Sequence, residues 1–284
     1  MAKLLEGKLV AAAMKEKQTL QVQELQSKGI TPTLGIIRGG ERPDDISYEK
    51  GATKRCEGVG VAVKSFTLPA DCSQEQLLKV IDQVNEDSSI NGVLLLRPLP
   101  KHMDDEVVRN ALAPAKDIDG ITDGSLACVM TGKGSGYAPC TAQACIEILD
   151  FFGYDLKGKR VTVVGRSLVV GKPVALMLTD RHATVTVCHT RTVDMPAICR
   201  GAEIIIAAAG KAGVVGGEFF APGQVVIDVG INFDENGKMC GDADFAAAEP
   251  VVGAITPVPG GVGTVTNSVL VGNVITAALM AIDN

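Results

Sequence analysis

The stretch VTVVGRSLVVGKPVALML, residues 161–178, decides the fold. A run of β-branched residues leads straight into Gly165. The chain then passes through Arg166 and Ser167 to Gly171 and Pro173, where an apolar helical pattern begins. A strand that turns sharply into a helix can cradle a diphosphate, because backbone must come close to it and a helix N-terminus must aim at it. Gly165 permits the tight turn, and Gly171 lets the helix approach the sheet. Pro173 suits a first helical turn, where its missing N–H costs nothing. The spacing is not G-x-G-x-x-G, so on its own the loop fits a nucleotide site and a plain structural turn alike.

The next predicted strand, 183–188, narrows the reading. A cofactor with a free ribose 2′-hydroxyl prefers an Asp or Glu at the end of that strand. Here the strand runs into His189, Thr190 and Arg191, with no carboxylate. Arg166 adds a second fixed positive charge, guanidinium forks match phosphate oxygens, and Thr190 offers a hydroxyl. The pattern predicts a 2′-phosphate, hence NADP over NAD; the alternative is that Arg166 and Arg191 are solvated surface residues.

Working outward, strand-length apolar runs alternate with helical patterns almost throughout. A helix is expected over 4–28, a strand over 33–37, a helix over 47–57 and a strand over 61–68. Ser73 with Gln76 resembles a capping box, and a short strand over 92–96 stops at RPLP. That β-α-β-α-β order predicts a parallel sheet covered by helices. A helix from Cys140 opens a second unit, with strands near 159–164, 183–188, 203–207 and 224–229 and a helical tail over 268–282. The 284 residues amount to about two domains at ~150 residues each. The expected architecture is α/β: two parallel-sheet lobes with a cleft between them. Residues 1–139 plus 268–284 form one lobe, and 140–267 form a Rossmann-like nucleotide lobe. Ligands should bind beyond the carboxyl ends of the strands.

Composition removes several classes. Hydrophobic residues make up 46%, too many for a disordered chain. The net charge of −6 argues against a general nucleic-acid binder, and 4% aromatics without Trp argue against a base-stacking platform. The N-terminus, MAKLLEGKLVAAAMKEK, has no uninterrupted apolar core, so no signal peptide is expected. The longest apolar run is placed around 204–210, far short of the ~20 residues that span a bilayer. Eight scattered Cys without a CxxC, and three His, predict reduced buried thiols in a cytoplasmic protein and no metal site.

Three segments point to a substrate. Tyr48 lies early in the helix after RGGERPDD, where an aromatic is usually core packing. In KDIDG, Asp119 precedes a Gly; it is either an Asx turn or a carboxylate able to bind a ring with adjacent N–H donors. TPVPGGVGTVT, 256–266, is rigid and glycine-dense. Pro257 and Pro259 fix the chain, while Gly260, Gly261 and Gly263 let backbone lie against a flat ligand.

Together these pieces resemble the methylenetetrahydrofolate dehydrogenase/cyclohydrolase family. The likeness covers essentially the whole chain: SYEKGATKRCEGVGV, NEDSSINGVLLLRPLP, KDIDG, the PCT junction, GRSLVVGKPVA, VIDVGIN and ITPVPGGVGTVT. It implies a folate cleft, tetrahydrofolate derivatives as substrates, and a homodimer joined through the nucleotide domains. It further implies that Tyr48 stacks beside the folate and Asp119 holds the pterin, these two being the catalytic pair. Gly165, Arg166, Ser167, Thr190 and Ile231 would hold NADP, and the loop with Pro259, Gly260 and Gly261 would close on substrate and cofactor.

The sequence departs from the family's pattern at chemically important positions. Bifunctional members carry a Lys four residues after the Tyr; here it is Ala52. They carry a Gln before L-P-L-P; here it is Leu96, followed by Arg97. Thr264 and Val265 replace the usual Pro and Met of the closing loop. Hydride loss from the methylene bridge leaves a delocalised amidinium and needs no general base, so positioning and electrostatics suffice. Adding water to that cation and opening the ring requires proton shuttling, for which a positioned acid/base contributes ~10²–10⁴-fold. Ala52 shares a helix face with Tyr48, whereas Lys50 and Lys54 are turned roughly 200° and 120° away. A dehydrogenase with weak or absent cyclohydrolase is therefore expected. The alternative is that another Lys, such as Lys50 or Lys101, enters the site and both activities persist.

Overall fold

The computed structural model describes residues 1–282. In chain order the elements are β1 (Lys3–Leu4), α1 (Gly7–Ser27), β2 (Thr33–Gly39), α2 (Pro43–Glu57), β3 (Ala62–Leu68), α3 (Gln74–Glu86) and β4 (Gly92–Leu95). There follow α4 (Asp105–Ala111), a 3₁₀ turn (Pro114–Lys116), α5 (Asp123–Thr131), α6 (Cys140–Phe151), β5 (Arg160–Val164), α7 (Gly171–Asp180), β6 (Thr184–Cys188) and α8 (Met195–Arg200). The chain closes with β7 (Ile204–Ala207), β8 (Val225–Asp228), β9 (Asn232–Phe233), β10 (Met239–Cys240), α9 (Phe245–Ala248), β11 (Ala254–Ile255) and α10 (Val262–Met280).

Two compact units result. One comprises residues 13–140 with 267 onward, the other residues 1–12 with 141–266. The first holds a parallel sheet in the order β3-β2-β4, the topology expected from its β-α-β-α-β pattern. Ile37, Leu77, Ile81, Val84, Val93 and Leu95 form much of its core. The helix at Ser73 starts as predicted: Gln76 N–H donates to Ser73 Oγ at 3.3 Å and Ser73 N–H to Gln76 Oε1 at 2.8 Å. The second unit holds a six-stranded sheet in the order β1-β11-β8-β7-β5-β6, with every pairing parallel. Its core includes Val164, Ile205, Val226, Phe219 and Ile255. Parallel strands buried on both faces read as continuous apolar runs, which is why β5, β7 and β8 are legible locally.

Three boundaries differ from expectation. Residues 1–12 belong with the six-stranded unit, because the helix begins at Gly7 rather than residue 4 and β1 pairs with β11. A two-residue strand has no periodicity to read, and only its partner defines it. The last helix starts at Val262, not 268, so Gly263 and Thr264 form its first turn beyond Gly260 and Gly261. That helix, and not the run near 204–210, is the longest apolar segment. It is long and apolar enough to cross a membrane by length and composition, yet 56% of that window is buried inside the protein, as befits a core helix.

Candidate functional site

Two of the three substrate segments, those of Tyr48 and Asp119, come together in the three-stranded unit; the loop with Pro259, Gly260 and Gly261 lies in the other. Pro43 at the first helical turn, with Asp44 and Asp45 beside it, starts α2 in accord with the helix dipole. Tyr48 follows, half-buried. Asp119 sits in the loop after the 3₁₀ turn, which is registered on the sheet by a parallel bridge between Val93 and Asp117. The side chain that makes the turn there is Asp117, not Asp119. Fully buried, Asp117 accepts the N–H groups of Ile121 at 3.0 Å and Thr122 at 2.7 Å. Among the described residues no backbone N–H is bonded to Asp119, whose carboxyl hydrogen-bonds with Cys140 instead. Gly120 has φ +68, and a Cβ there would lie 2.5 Å from the Pro139 nitrogen. Only glycine lets the two segments pass so closely.

Cys140, at the start of α6, donates its thiol to the Ile118 carbonyl at 3.1 Å, and Asn273 donates to the same oxygen at 2.8 Å. Burial pushes the Asp119 carboxyl up to about 7; its hydrogen bond with Cys140 and the charge of Arg97 work against that shift, and Asp117 adds to it. Tyr48 is pushed up by burial first, then by Asp119 and Cys140. Burial and Asp119 together drive the Cys140 thiol well above the usual range. Phenol, carboxyl and thiol therefore share one low-dielectric neighbourhood. Sequence reasoning missed Cys140 and Asn273 as participants, although the PCT triplet drew attention to the segment.

Ala52 is fully buried and Leu96 nearly so, so the two positions where the family pattern has Lys and Gln carry no polar group. Lys50, Lys54 and Lys101 are all exposed. Arg97 follows Leu96 directly and is held by Asp105, with Nε–H donating to Oδ1 at 2.8 Å and a second bond from the guanidinium to Oδ2.

In the six-stranded unit the glycine loop has the geometry its sequence suggested. Gly165 adopts φ +128, and a Cβ there would lie 2.0 Å from the Ala208 carbonyl oxygen. A Cβ on Gly171 would lie 2.3 Å from the Gly165 carbonyl oxygen. These two contacts make a backbone cradle that any side chain would fill. Arg166 and Ser167 are exposed at its rim. Ser167 also caps the helix, its Oγ accepting from Val170 N–H at 3.1 Å and Gly171 N–H at 3.4 Å, which leaves its own hydrogen to donate. Past β6, His189 N–H donates to Thr192 Oγ1 at 2.9 Å and Arg191 N–H to His189 Nδ1 at 3.2 Å. That turn presents Thr190 and Arg191 to solvent. Asp194, the first acid after it, is engaged as the cap of α8. Among the described residues, no acid is paired with the guanidinium of Arg166 or Arg191.

At the carboxyl end of β8, a cavity of about 230 Å³ is lined by residues 228–231, Met239 and the loop 257–264. It brings Ile231, which is 64% exposed, together with Pro259, Gly260 and Gly261. Asp228 on its wall and Asp242, bonded to it through its N–H, are two buried acids that the sequence reading overlooked. Asp228 accepts the N–H groups of Gly230, Asp242 and Ala243, each at 2.9 Å. Asp242 accepts from Gly210 at 2.8 Å and from Lys211 and Asn232 at 2.9 Å. Thr256 Oγ1 accepts Asp228 N–H at 2.7 Å. An Asp ending an apolar strand was the available signal.

The two α/β units are matched by known proteins. A family model described as tetrahydrofolate dehydrogenase/cyclohydrolase, catalytic domain, matches residues 5–119, and the corresponding NAD(P)-binding domain matches residues 139–282. The chain belongs to this family. A relative named bifunctional protein FolD from Carboxydothermus hydrogenoformans is 48% identical over 95% of both chains. The crystal structure of the FolD enzyme from Campylobacter jejuni superposes with a TM-score of 0.95 at 36% identity, covering 99% of this chain and all of that one. The Trypanosoma brucei dehydrogenase-cyclohydrolase, solved with NADP cofactor and inhibitor, gives 0.92 at 35% identity over 100% and 99% of the two chains. The family's NAD(P)-binding domain falls on the segment that contains the Gly165–Gly171 cradle.

Proposed function

We propose that this member of the tetrahydrofolate dehydrogenase/cyclohydrolase family oxidises 5,10-methylenetetrahydrofolate to 5,10-methenyltetrahydrofolate with NADP, and that its cyclohydrolase step is weak or absent. The observation that carries the second half is the pair Ala52 and Leu96, both buried and both without a titratable or hydrogen-bonding side chain. Tyr48 and Asp119 are the substrate residues. The Asp119 carboxylate accepts the adjacent N–H donors of the pterin, and the Tyr48 ring lies beside the folate. Gly165, Arg166, Ser167, Thr190, Arg191 and Ile231 hold the cofactor, and Pro259, Gly260 and Gly261 close over the reacting groups. NADP, when bound, supplies the acceptor for the hydride. The folate's own bridging nitrogens delocalise the charge left behind, so the chain needs to move no proton. Its residues orient the substrate and exclude water.

The unpaired guanidinia at Arg166 and Arg191, with no free acid at the β6 turn, support NADP over NAD. Among the described residues the edge strand β6 pairs only with β5, and Val187 on it is 38% exposed. An open edge of this kind supports a homodimer through the six-stranded unit. Eight free cysteines support a cytoplasmic setting. The competing reading, a fully bifunctional enzyme giving 10-formyltetrahydrofolate, is favoured by the name of the 48%-identical relative. Two rates decide between them: NADPH formation from methylenetetrahydrofolate, and enzymatic loss of methenyltetrahydrofolate above the buffer blank. The proposal expects the first without the second. Robust hydrolysis would establish the bifunctional reading, and absence of the first would remove the proposal altogether.

A further inference from the structure

We infer that Asn273 is a positioning residue for the substrate: its amide, together with the Cys140 thiol, fixes the peptide from which Asp119 projects. The inference rests on the proposed reading of Asp119 as the pterin acceptor.

Asn273 lies well inside α10, where an amide has no helix end to cap. It shares a stripe of that helix with Leu270 and Ala277, both apolar and buried. Its donors go across to the loop after the 3₁₀ turn. The amide nitrogen donates to the Ile118 carbonyl at 2.8 Å and to the Cys140 sulfur at 3.7 Å, and its two hydrogens serve both.

The Ile118 oxygen and the Asp119 nitrogen belong to one planar peptide unit. Holding the oxygen therefore orients the main chain of Asp119. The flanks of that unit are pinned as well. Ile118 is fully buried, and a Cβ on Gly92 would lie 2.4 Å from its Cγ2, so its side chain fills the space that glycine leaves. Gly120 N–H donates to the Asp117 carbonyl at 3.1 Å. Cys140 has one hydrogen and two acceptors, the Ile118 carbonyl at 3.1 Å and the Asp119 carboxyl. Asn273 supplies the carbonyl independently and so releases the thiol hydrogen for the carboxylate. Without the amide, the carbonyl would claim that hydrogen, because a buried acceptor left unsatisfied is costly. Asn273 thus acts on Asp119 twice, through the peptide that carries it and through the thiol beside it.

The test is KM for methylenetetrahydrofolate between pH 6 and 9 at saturating NADP. It is measured for Asn273→Leu and Asn273→Asp, each divided by the value of the unsubstituted protein at the same pH. The division removes the titration that both proteins share. Asn273→Leu keeps the bulk and loses both donors, so KM rises about five- to tenfold at every pH, the worth of a neutral hydrogen bond, with kcat within about twofold. Asn273→Asp keeps the shape as well. At pH 6 the introduced carboxyl, half-buried and close to Asp117, is protonated; its O–H takes the place of the amide donor, and KM stays within about twofold of the parent. At pH 9 it is ionised, has no hydrogen to give, and KM rises at least as far as in Asn273→Leu. Because the Asp variant makes its bond at pH 6, the pH comparison stands even where the Leu variant fails to fold. Ratios near one throughout, or a ratio for the Asp variant that does not change with pH, are what a side chain that merely fills space would give; either overturns the inference while the activity stands. Loss of kcat or of melting temperature with KM unchanged does the same. No folate-dependent NADPH formation by the unsubstituted protein overturns it together with the reading on which it rests.

Discussion

Replacing Ala52 with Lys tests the division between the two reactions most directly. Position 52 is fully buried on the helix face it shares with Tyr48, one turn away. The substitution adds three methylenes and an ammonium to a packed face. Overpacking of this kind costs about 1–3 kcal/mol, which lowers Tm by about 2–4 °C per kcal/mol for a protein of this size class. Desolvation drives the amine down from its usual ~10.4 toward the range of a proton shuttle, as it does for buried lysines generally. With such a group beside the Tyr48 phenol, water addition and ring opening gain the ~10²–10⁴-fold typical of positioned acid/base catalysis. The assay is the decay of methenyltetrahydrofolate absorbance, corrected for buffer, run on the variant and on Ala52→Lys/Leu96→Gln. NADPH formation serves as the control for folding and folate binding. Expected are a dehydrogenase within a few-fold of the original and hydrolysis that rises from near the blank, further in the double variant. If both variants fold, retain the dehydrogenase and still do not hydrolyse, the missing-shuttle argument is wrong.

Four other outcomes follow from the geometry. Gly165→Ala places a Cβ 2.0 Å from the Ala208 carbonyl oxygen at φ +128; NADP binding in a titration should vanish and Tm should fall, whereas retained affinity would deny the cradle its role. Arg191→Ala removes a charge-assisted contact worth ~1.5–3 kcal/mol, so KM for NADP should rise about 10- to 150-fold while that for NAD hardly moves; equal losses for both would reject the 2′-phosphate assignment. Asp119→Asn should abolish folate turnover yet raise the melting temperature above pH 7. Burial raises the folded carboxyl to about 7, so the group's favourable contribution is complete below the unfolded value of ~3.9 and is lost as pH rises through 7; a variant no more stable than its parent at pH 8 contradicts that. Val187→Asp on the open β6 edge should give monomers in sedimentation, and an unchanged dimer would move the interface elsewhere.

Much of this was written locally in the chain. The strands β4 and β7 are continuous apolar runs and β2, β5 and β8 are largely apolar, and the Ser73–Gln76 box and the Gly165–Pro173 turn are short-range signals that depend on neighbours in sequence. Such features survive without knowledge of the fold, and so do the residue types at 48, 52, 96 and 119. Tertiary structure alone decided the rest. It joined residues 1–12 to the six-stranded unit, since a two-residue strand exists only through its pairing with β11. It gave the turn-forming bonds to Asp117 and set Asp119 beside Tyr48 and Cys140. It also set Arg97 on Asp105, and Asn273 on the Ile118 carbonyl 155 residues away in sequence. Periodicity reports which face of an element is apolar; it carries no information about which distant charge or carbonyl will stand opposite, because burial and electrostatics act through space.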